Sequence, residues 1–577
     1  MKPICRASLL LATLLALAPV PSPAIASEHA AEPAPAIPAS HPPGAAIASG
    51  HALATEAGLA TIRAGGNAFD AAVTVSSVLS VVEPISSGLG GGGFFLLHDA
   101  RSGKDVFLDA REIAPAAATP QAYLDANGDL DRNRAQNGPW SAGIPGLPAA
   151  LVELAGKYGT LPLRDTLAAA IRIARDGFPV YARLQKGYAS RREVMERYPG
   201  TRAVFLADGD PPQVGETLRQ PDLARTLQRL ADDGFDGFYR GDVADKLRAS
   251  VEAEGGHWTA AELAGYEVRE RAPIRFGYHD WQIVTAPPPS SGGVALAEIL
   301  QIAEGWDLSK LDKAHRVHIL TEAMRRAYRD RTIWLGDPDF VKMPLARLTS
   351  ANYAAGLRAT IHPDKATPSA LLPGQPAPLE DEETTHFSII DAAGNMVAAT
   401  QTVNLLYGSG LIPPGTGVIL NDEMDDFALK PGTPNAFGVM GFDANAVEQG
   451  KRMLSSMTPT FMFSPQQVTA LGAPGGSRII TEVLLGILGY DDGLTAQQVA
   501  AKPRFHHQWL PDVISAEAGA LDPATVAALQ AMGHTVNAGE SPWGNLQTVQ
   551  WDRRANTLSG GSDPRNAVGK ADVLLSP

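Results

Sequence analysis

Glu383-Thr384-Thr385-His386-Phe387-Ser388-Ile389-Ile390, then Asp391-Ala392-Ala393-Gly394-Asn395, then Met396 through Asn404, is the stretch on which the reading of this chain turns. Two β-rich runs flank a turn containing Asp, Gly and Asn, the pattern of a β-hairpin. With residues 391–395 left unpaired, Ile390 faces Met396. Counting outward then sets Thr384 opposite Thr402, with Asn404 just beyond; a turn of another length slips this register by one. Three polar side chains gather at the open end of the hairpin. Immediately upstream, residues 367–383 are rich in proline and acids and form the most loop-like stretch of the interior.

That placement suits one chemistry. A threonine hydroxyl is a poor nucleophile until a base removes its proton. If the chain is cut before Thr384, the new α-amine, with a reference pKa of about 7.7–8.0, is such a base. The cut can begin with the same hydroxyl attacking the carbonyl of Glu383, giving an ester that water hydrolyses. Spacing alone does not separate this reading from a threonine-rich edge hairpin, which is the commoner object.

Outward from the hairpin the texture is mixed. Residues 50–64 have helical composition and stop at Gly65-Gly66, and Asn67 with Asp70 at N3 resembles an N-cap opening a second helix to about Val82. The glycine run 88–93 leads into an expected strand at 94–98, a turn at Ser102-Gly103 and a strand at 106–108. Helices are expected at 148–158, 163–176, 223–233, 293–305 and 314–330, and a single strand at 278–285. No repeat of fixed period and no linker between independent cores is visible.

A chain of 577 residues, 45% of them apolar, can bury a large core. Its formal charge of −14 comes without any Lys/Arg-rich run, which argues against nucleic-acid or anionic-membrane partners and favours small-molecule chemistry. Lys2 and Arg6, the apolar run 7–17 and Ala24-Ile25-Ala26 read as a signal peptide over 1–26. That predicts a periplasmic or secreted protein with no membrane segment after signal removal. Residues 27–49 are expected to be a flexible lead-in. Cys5, the lone cysteine, falls within the signal, so neither disulfides nor a cysteine nucleophile are expected.

The segment Thr384-Thr-His-Phe-Ser388, with Thr402 and Asn404, resembles the maturation and nucleophile motif of the gamma-glutamyltranspeptidases. The resemblance runs from about Gly50 to the C-terminus. It includes Glu83-Pro through Gly90–Gly93-Phe, Leu108-Asp-Ala-Arg111-Glu-Ile-Ala-Pro115, Pro289-Ser-Ser-Gly-Gly293 and Leu335-Gly-Asp-Pro-Asp-Phe340. Further on come Met424-Asp-Asp-Phe427, Leu454-Ser-Ser-Met457-Thr-Pro and Pro474-Gly-Gly-Ser-Arg478.

The resemblance implies an α+β fold, the four-layer αββα sandwich of N-terminal nucleophile hydrolases. It also implies self-cleavage between Glu383 and Thr384 into a large subunit (50–383) and a small subunit (384–577) that form one core. Thr384 is then the nucleophile and Thr402 its positioning partner. Gly475 and Gly476 supply backbone N–H groups to an oxyanion. Arg111, with Ser455 and Ser456, takes the α-carboxylate of a gamma-glutamyl donor; Asp426 and Glu423, with Asn404, take its α-ammonium. The Pro/Gly-rich segment containing Phe437 becomes a lid. The expected donors are glutathione and similar compounds, the acceptors water, amino acids or peptides, and no cofactor or metal is implied.

Several patterns point elsewhere and fail. Gly88-x-Gly90-x-x-Gly93 with Asp109 formally fits a dinucleotide fingerprint, but a strand follows it where that fold needs a helix. His506-His507 has no further ligands nearby, residues 422–426 lack the spacing of a calcium loop, and no Gly-x-Ser-x-Gly is present. Two alternatives stay open: an acylase removing a glutaryl-type group from a beta-lactam, and an unprocessed relative that only binds ligand.

Overall fold

The computed structural model describes residues 39–206, 209–371 and 384–576. The expected signal sequence, most of the lead-in and the expected scissile residue Glu383 lie outside these residues. Thirteen strands build two antiparallel sheets. In chain order they are β1 (Gly44–Ser49), β2 (Gly92–Asp99), β3 (Lys104–Ala110), β4 (Arg269–Arg271), β5 (Ile274–Tyr278), β6 (Trp281–Thr285) and β7 (Thr385–Ile390). Then follow β8 (Met396–Thr402), β9 (Thr460–Phe463), β10 (Gln467–Gly472), β11 (Gln547–Asp552), β12 (Thr557–Ser562) and β13 (Lys570–Leu575). The first sheet runs β13-β1-β7-β8-β2-β3-β4 and the second β12-β11-β10-β9-β6-β5. Both take strands from before and after residue 384.

The principal helices are α1 (Ala52–Arg63), α2 (Ala68–Val82), α3 (Leu147–Lys157), α4 (Leu163–Asp176), α5 (Pro221–Asp233), α6 (Gly292–Ala303), α7 (Lys313–Trp334) and α8 (Ile479–Asp491). The first five share a core with one face of the first sheet; α6, α7 and α8 share another with the second sheet. The layers are therefore helix, sheet, sheet, helix. Period-2 alternation divides the side chains between the two cores. Phe95, Leu97, Phe387, Ile389, Val397 and Ala399 point to the outer helices, whereas Phe94, Leu96, Ile390, Met396 and Ala398 point to the second sheet. Because both faces are covered, these antiparallel strands read as almost continuous apolar runs. Helix α2 is buried on every side, which explains a sequence of fifteen residues with only one charge. Asn67 and Asp70 cap it reciprocally as expected.

The hairpin register is the one counted from the sequence: Met396 pairs with Ile390 and Gln401 with Thr385. Between the sheets the hairpin carries a polar stitch. His386 shares hydrogen bonds with Thr400 Oγ1 at 2.8 Å and Ser388 Oγ at 3.1 Å, and Ser388 donates to the Gln547 carbonyl of β11 at 3.2 Å. Burial pushes the imidazole down to about 3, so it is neutral there.

Three expectations are corrected. Residues 44–49, assigned to the lead-in, form the fully buried strand β1 between β13 and β7; a run of Ala and Ile beside a Pro-rich segment hides a short strand whose partners come from the C-terminal end and from the middle of the chain. The strand expected at 278–285 is a hairpin of two, because His279 turns the chain at φ +49. Helix α7 runs to Trp334, a turn beyond the expected end.

Candidate functional site

Thr384 stands immediately before β7, 4% exposed, at the open end of the hairpin. Its hydroxyl donates to Thr402 Oγ1 at 3.3 Å, and the same oxygen accepts from the Asn404 backbone N–H at 2.8 Å. Asn404 adopts φ +79, and its amide donates to the Asp422 carbonyl at 3.0 Å, tying the end of β8 to the acidic segment. Behind Thr402 the glycine run has a steric reason. A Cβ on Gly91 would stand 2.0 Å from the Thr402 carbonyl oxygen, so only glycine lets that chain pass. The run begins β2 and no helix follows it, consistent with dismissing a dinucleotide site.

One pocket is lined by Thr384, Thr402, Asn404, Arg111, Glu423, Asp426, Ser455, Ser456, Phe437 and Gly476. Residues expected from six separate segments therefore meet in one place. Gly475 lies one position outside the lining. It adopts φ +123 and Gly476 φ +49, both favoured by glycine, just ahead of α8. Backbone N–H groups at a helix start are suited to an anion.

The charges are arranged differently from the simplest expectation. The Arg111 guanidinium, expected to be open to a carboxylate, is paired with Glu423 Oε1 and Asp426 Oδ2, the two groups expected to face an ammonium. Glu112, the alternative partner, is more distant at 3.8 Å. Burial works against the Arg111 charge, but Glu423 and Asp426 outweigh it and hold the guanidinium protonated. Burial pushes Glu423 up to about 7, opposed by Arg111 and assisted by Asp426; Asp426 is raised by the same burial. A zwitterionic head group can exchange into this network, carboxylate to arginine and ammonium to carboxylates, without leaving a buried charge unpaired.

The Pro/Gly-rich strap is pinned over the pocket. Asp425 Oδ2 accepts from the Ala436 N–H at 2.7 Å, Asp426 Oδ1 from the Asn435 amide at 3.0 Å, and the Phe437 carbonyl from Gln508 Nε2 at 3.1 Å. Phe437 is only 5% exposed. Gln508 also accepts from Ser477 Oγ at 2.6 Å, so one side chain joins the strap to the glycine turn.

Sequence reasoning missed Arg331, Asn435, Val439, Met457 and Ser477, which also line the pocket. Arg331 belongs to α7, where His318, Glu322, Arg325, Arg326, Asp330 and Arg331 are all buried; so many charged residues on several faces of one helix could have signalled buried polar work. His506 and His507 serve separate partners, Thr481 and Gln508 for the first, Asp512 for the second. Among the described residues, His318, Glu322 and His534 form a group with metal-ligand proximity. Its imidazoles are hydrogen-bonded to each other at 2.7 Å, and Arg325 and Arg326 occupy the Glu322 carboxylate.

Two face-to-face sheets between helical layers, with a threonine at the start of a central strand facing a polar pocket, define an N-terminal nucleophile hydrolase fold. The chain is similar to the cephalosporin acylase structure from Bacillus halodurans, at a TM-score of 0.82 and 28% identity, covering 95% of this chain and 99% of that one. The family model for gamma-glutamyltranspeptidase matches residues 54–573, and the chain belongs to that family. It is 42% identical over 537 residues to a glutathione hydrolase proenzyme of Pseudomonas sp. (strain A14), covering 90% of this chain and 92% of that one. It is 41% identical over 528 residues to the protein of the same name from Escherichia coli K12, covering 90% of each.

Proposed function

We propose that this chain is an exported gamma-glutamyl hydrolase and transferase that matures by cutting itself between Glu383 and Thr384. The observation that carries the reading is a single pocket holding the Thr384–Thr402 pair together with Arg111, Glu423 and Asp426. In maturation, Thr384 Oγ1 bonds to the Glu383 carbonyl carbon and the peptide C–N bond breaks. Water then hydrolyses the ester, leaving a carboxylate on the large subunit, which ends at Glu383 and includes β1, and an α-amine on the small one (384–577).

In turnover that amine takes the hydroxyl proton while Oγ1 attacks the side-chain carbonyl of the donor. The N–H groups of Gly475 and Gly476 face the oxyanion, an arrangement that stabilises charge only as it develops. The amide C–N bond breaks, the leaving amine receives the proton, and a gamma-glutamyl ester remains on Thr384. Water or an acceptor amine releases it by the reverse sequence. Arg111, Ser455 and Ser456 hold the α-carboxylate; Asp426, Glu423 and Asn404 hold the α-ammonium; Phe437 closes the pocket against water. Export accords with the N-terminal sequence pattern; among the described residues no helix is long and apolar enough to cross a membrane.

The likeness to an acylase structure makes a glutaryl substrate the second reading. A glutaryl group has no ammonium to satisfy two buried carboxylates, so Glu423 and Asp426 favour the gamma-glutamyl group. Comparing kcat/KM for gamma-glutamyl and glutaryl anilides decides the matter: preference for the first is expected, and preference for the second overturns the substrate assignment.

A further inference from the structure

Arg331 lies near the C-terminal end of α7, is 7% exposed and lines the same pocket as Thr384. Among the described residues its polar contacts are two hydroxyls. Nε donates to Ser291 Oγ at 2.9 Å and Nη2 to Ser456 Oγ at 3.2 Å. A guanidinium has donors and no acceptor, so both hydroxyl oxygens must accept and each must send its own proton elsewhere. The Ser291 proton goes to the Ser455 carbonyl, at 2.8 Å, which also receives the Ser291 N–H at 2.8 Å. Ser455 Oγ in turn accepts from the Met457 N–H at 3.1 Å. The Ser455 and Ser456 hydroxyls thus both have an acceptor position filled by an obligate donor, and both line the pocket. Among the described residues neither hydroxyl donates its proton to an acceptor.

Charge points the same way. Four charged side chains line the pocket: Arg111, Arg331, Glu423 and Asp426. Arg111 is taken up by both carboxylates, whereas Arg331 has only the two hydroxyls as polar contacts among the described residues. Burial disfavours its charge, and Tyr328 and then Asp426 offset that burial only in part. A buried guanidinium without a carboxylate in contact calls for an anion.

We propose that Arg331 is a positioning residue for the donor's α-carboxylate: it fixes the Ser456 hydroxyl, and through Ser291 the Ser455-Ser456 turn, as hydrogen-bond donors into the pocket, and supplies positive charge behind them. This rests on the gamma-glutamyl reading above only for the identity of the donor. What it requires of the substrate is a carboxylate at that position.

Three anilides separate the claims. The gamma-glutamyl compound carries both carboxylate and ammonium, the glutaryl compound keeps the carboxylate alone, and the 4-aminobutyryl compound keeps the ammonium alone. In the processed enzyme, Arg331→Met is expected to lower kcat/KM about tenfold to a hundredfold on the two carboxylate-bearing substrates, mainly through KM. It should leave the 4-aminobutyryl compound within about threefold. Arg331→Lys, which keeps the charge but not the fork that reaches both hydroxyls, should recover part of the loss. In an Arg331→Met/Ser456→Ala double variant the losses should not multiply.

Equal losses on all three substrates would mean a merely structural role, and no loss on any would mean none; either overturns the proposal. If Arg331→Met does not yield processed protein, Arg331→Lys is compared on the same substrates, and a carboxylate-independent loss overturns the proposal equally. A parent enzyme preferring the glutaryl anilide would overturn the gamma-glutamyl reading yet leave this test intact, since glutaryl retains the carboxylate.

Discussion

The hydroxyl of Thr384 donates to that of Thr402 across 3.3 Å, and Thr402 in turn is held by the backbone N–H of Asn404. In the proposed mechanism Thr402 aims the nucleophile. Thr402→Val keeps the shape and removes the acceptor, so kcat is expected to fall about tenfold to a hundredfold with KM little changed. Steady-state kinetics on a gamma-glutamyl anilide check this; an unchanged kcat would show that Thr402 aims nothing.

Gly91 sets the position of Thr402 from behind. Gly91→Ala would place a Cβ 2.0 Å from the Thr402 carbonyl, and backbone cannot yield as a side chain can. The end of β8 should shift and maturation should slow or stop while the sheets remain folded. Circular dichroism and denaturing gels of the variant test this, and a fully processed Gly91→Ala enzyme with parental kcat would contradict it.

Glu423 should give the enzyme a pH-dependent KM. Burial raises its folded value to about 7, from 4.5 for the free group. Between those values the carboxyl is protonated in the fold and ionised in the unfolded chain, so its contribution to stability declines as pH rises through that window. Binding runs the other way: attraction for the α-ammonium appears as Glu423 ionises, and KM should fall as pH rises through about 7. Glu423→Gln should flatten that limb and leave the pH dependence of kcat, set by the Thr384 amine, in place. A KM profile identical to the parent's would dismiss the assignment.

The hairpin part of this site was legible in the chain because its logic is local, whereas the residues expected to bind substrate and oxyanion came only from the resemblance to a family. Turn chemistry at 391–395 fixed the hairpin, and the hairpin register brought Thr384 to Thr402 before any long-range contact was considered. The Asn67/Asp70 cap and the extent of α4 were equally readable. What was hidden depends on pairing across long sequence separations. Strand β1 gave no signal of its own, because its partners lie more than three hundred and five hundred residues away in sequence. Arg331 was obscured because a charged residue on a long helix reads as solvated until a second layer covers it. The pairing of Arg111 with Glu423 and Asp426 is a property of the closed pocket, and no motif encodes which counter-ion a buried arginine holds before ligand arrives.

Gln508 links the strap to the glycine turn through the Phe437 carbonyl and Ser477 Oγ. Gln508→Ala should loosen the strap, raising KM for the donor and the share of acyl-enzyme lost to water relative to acceptor transfer. Product analysis at fixed acceptor concentration reads this partition; an unchanged ratio together with an unchanged KM would remove Gln508 from the account.

The most direct test is intact mass spectrometry of the purified, folded protein. Two chains are expected, the second beginning at Thr384, and Thr384→Ala should remain one chain without activity. A single uncut chain that turns over gamma-glutamyl substrates, or a Thr384→Ala variant that still divides at residue 384, would contradict the central claim.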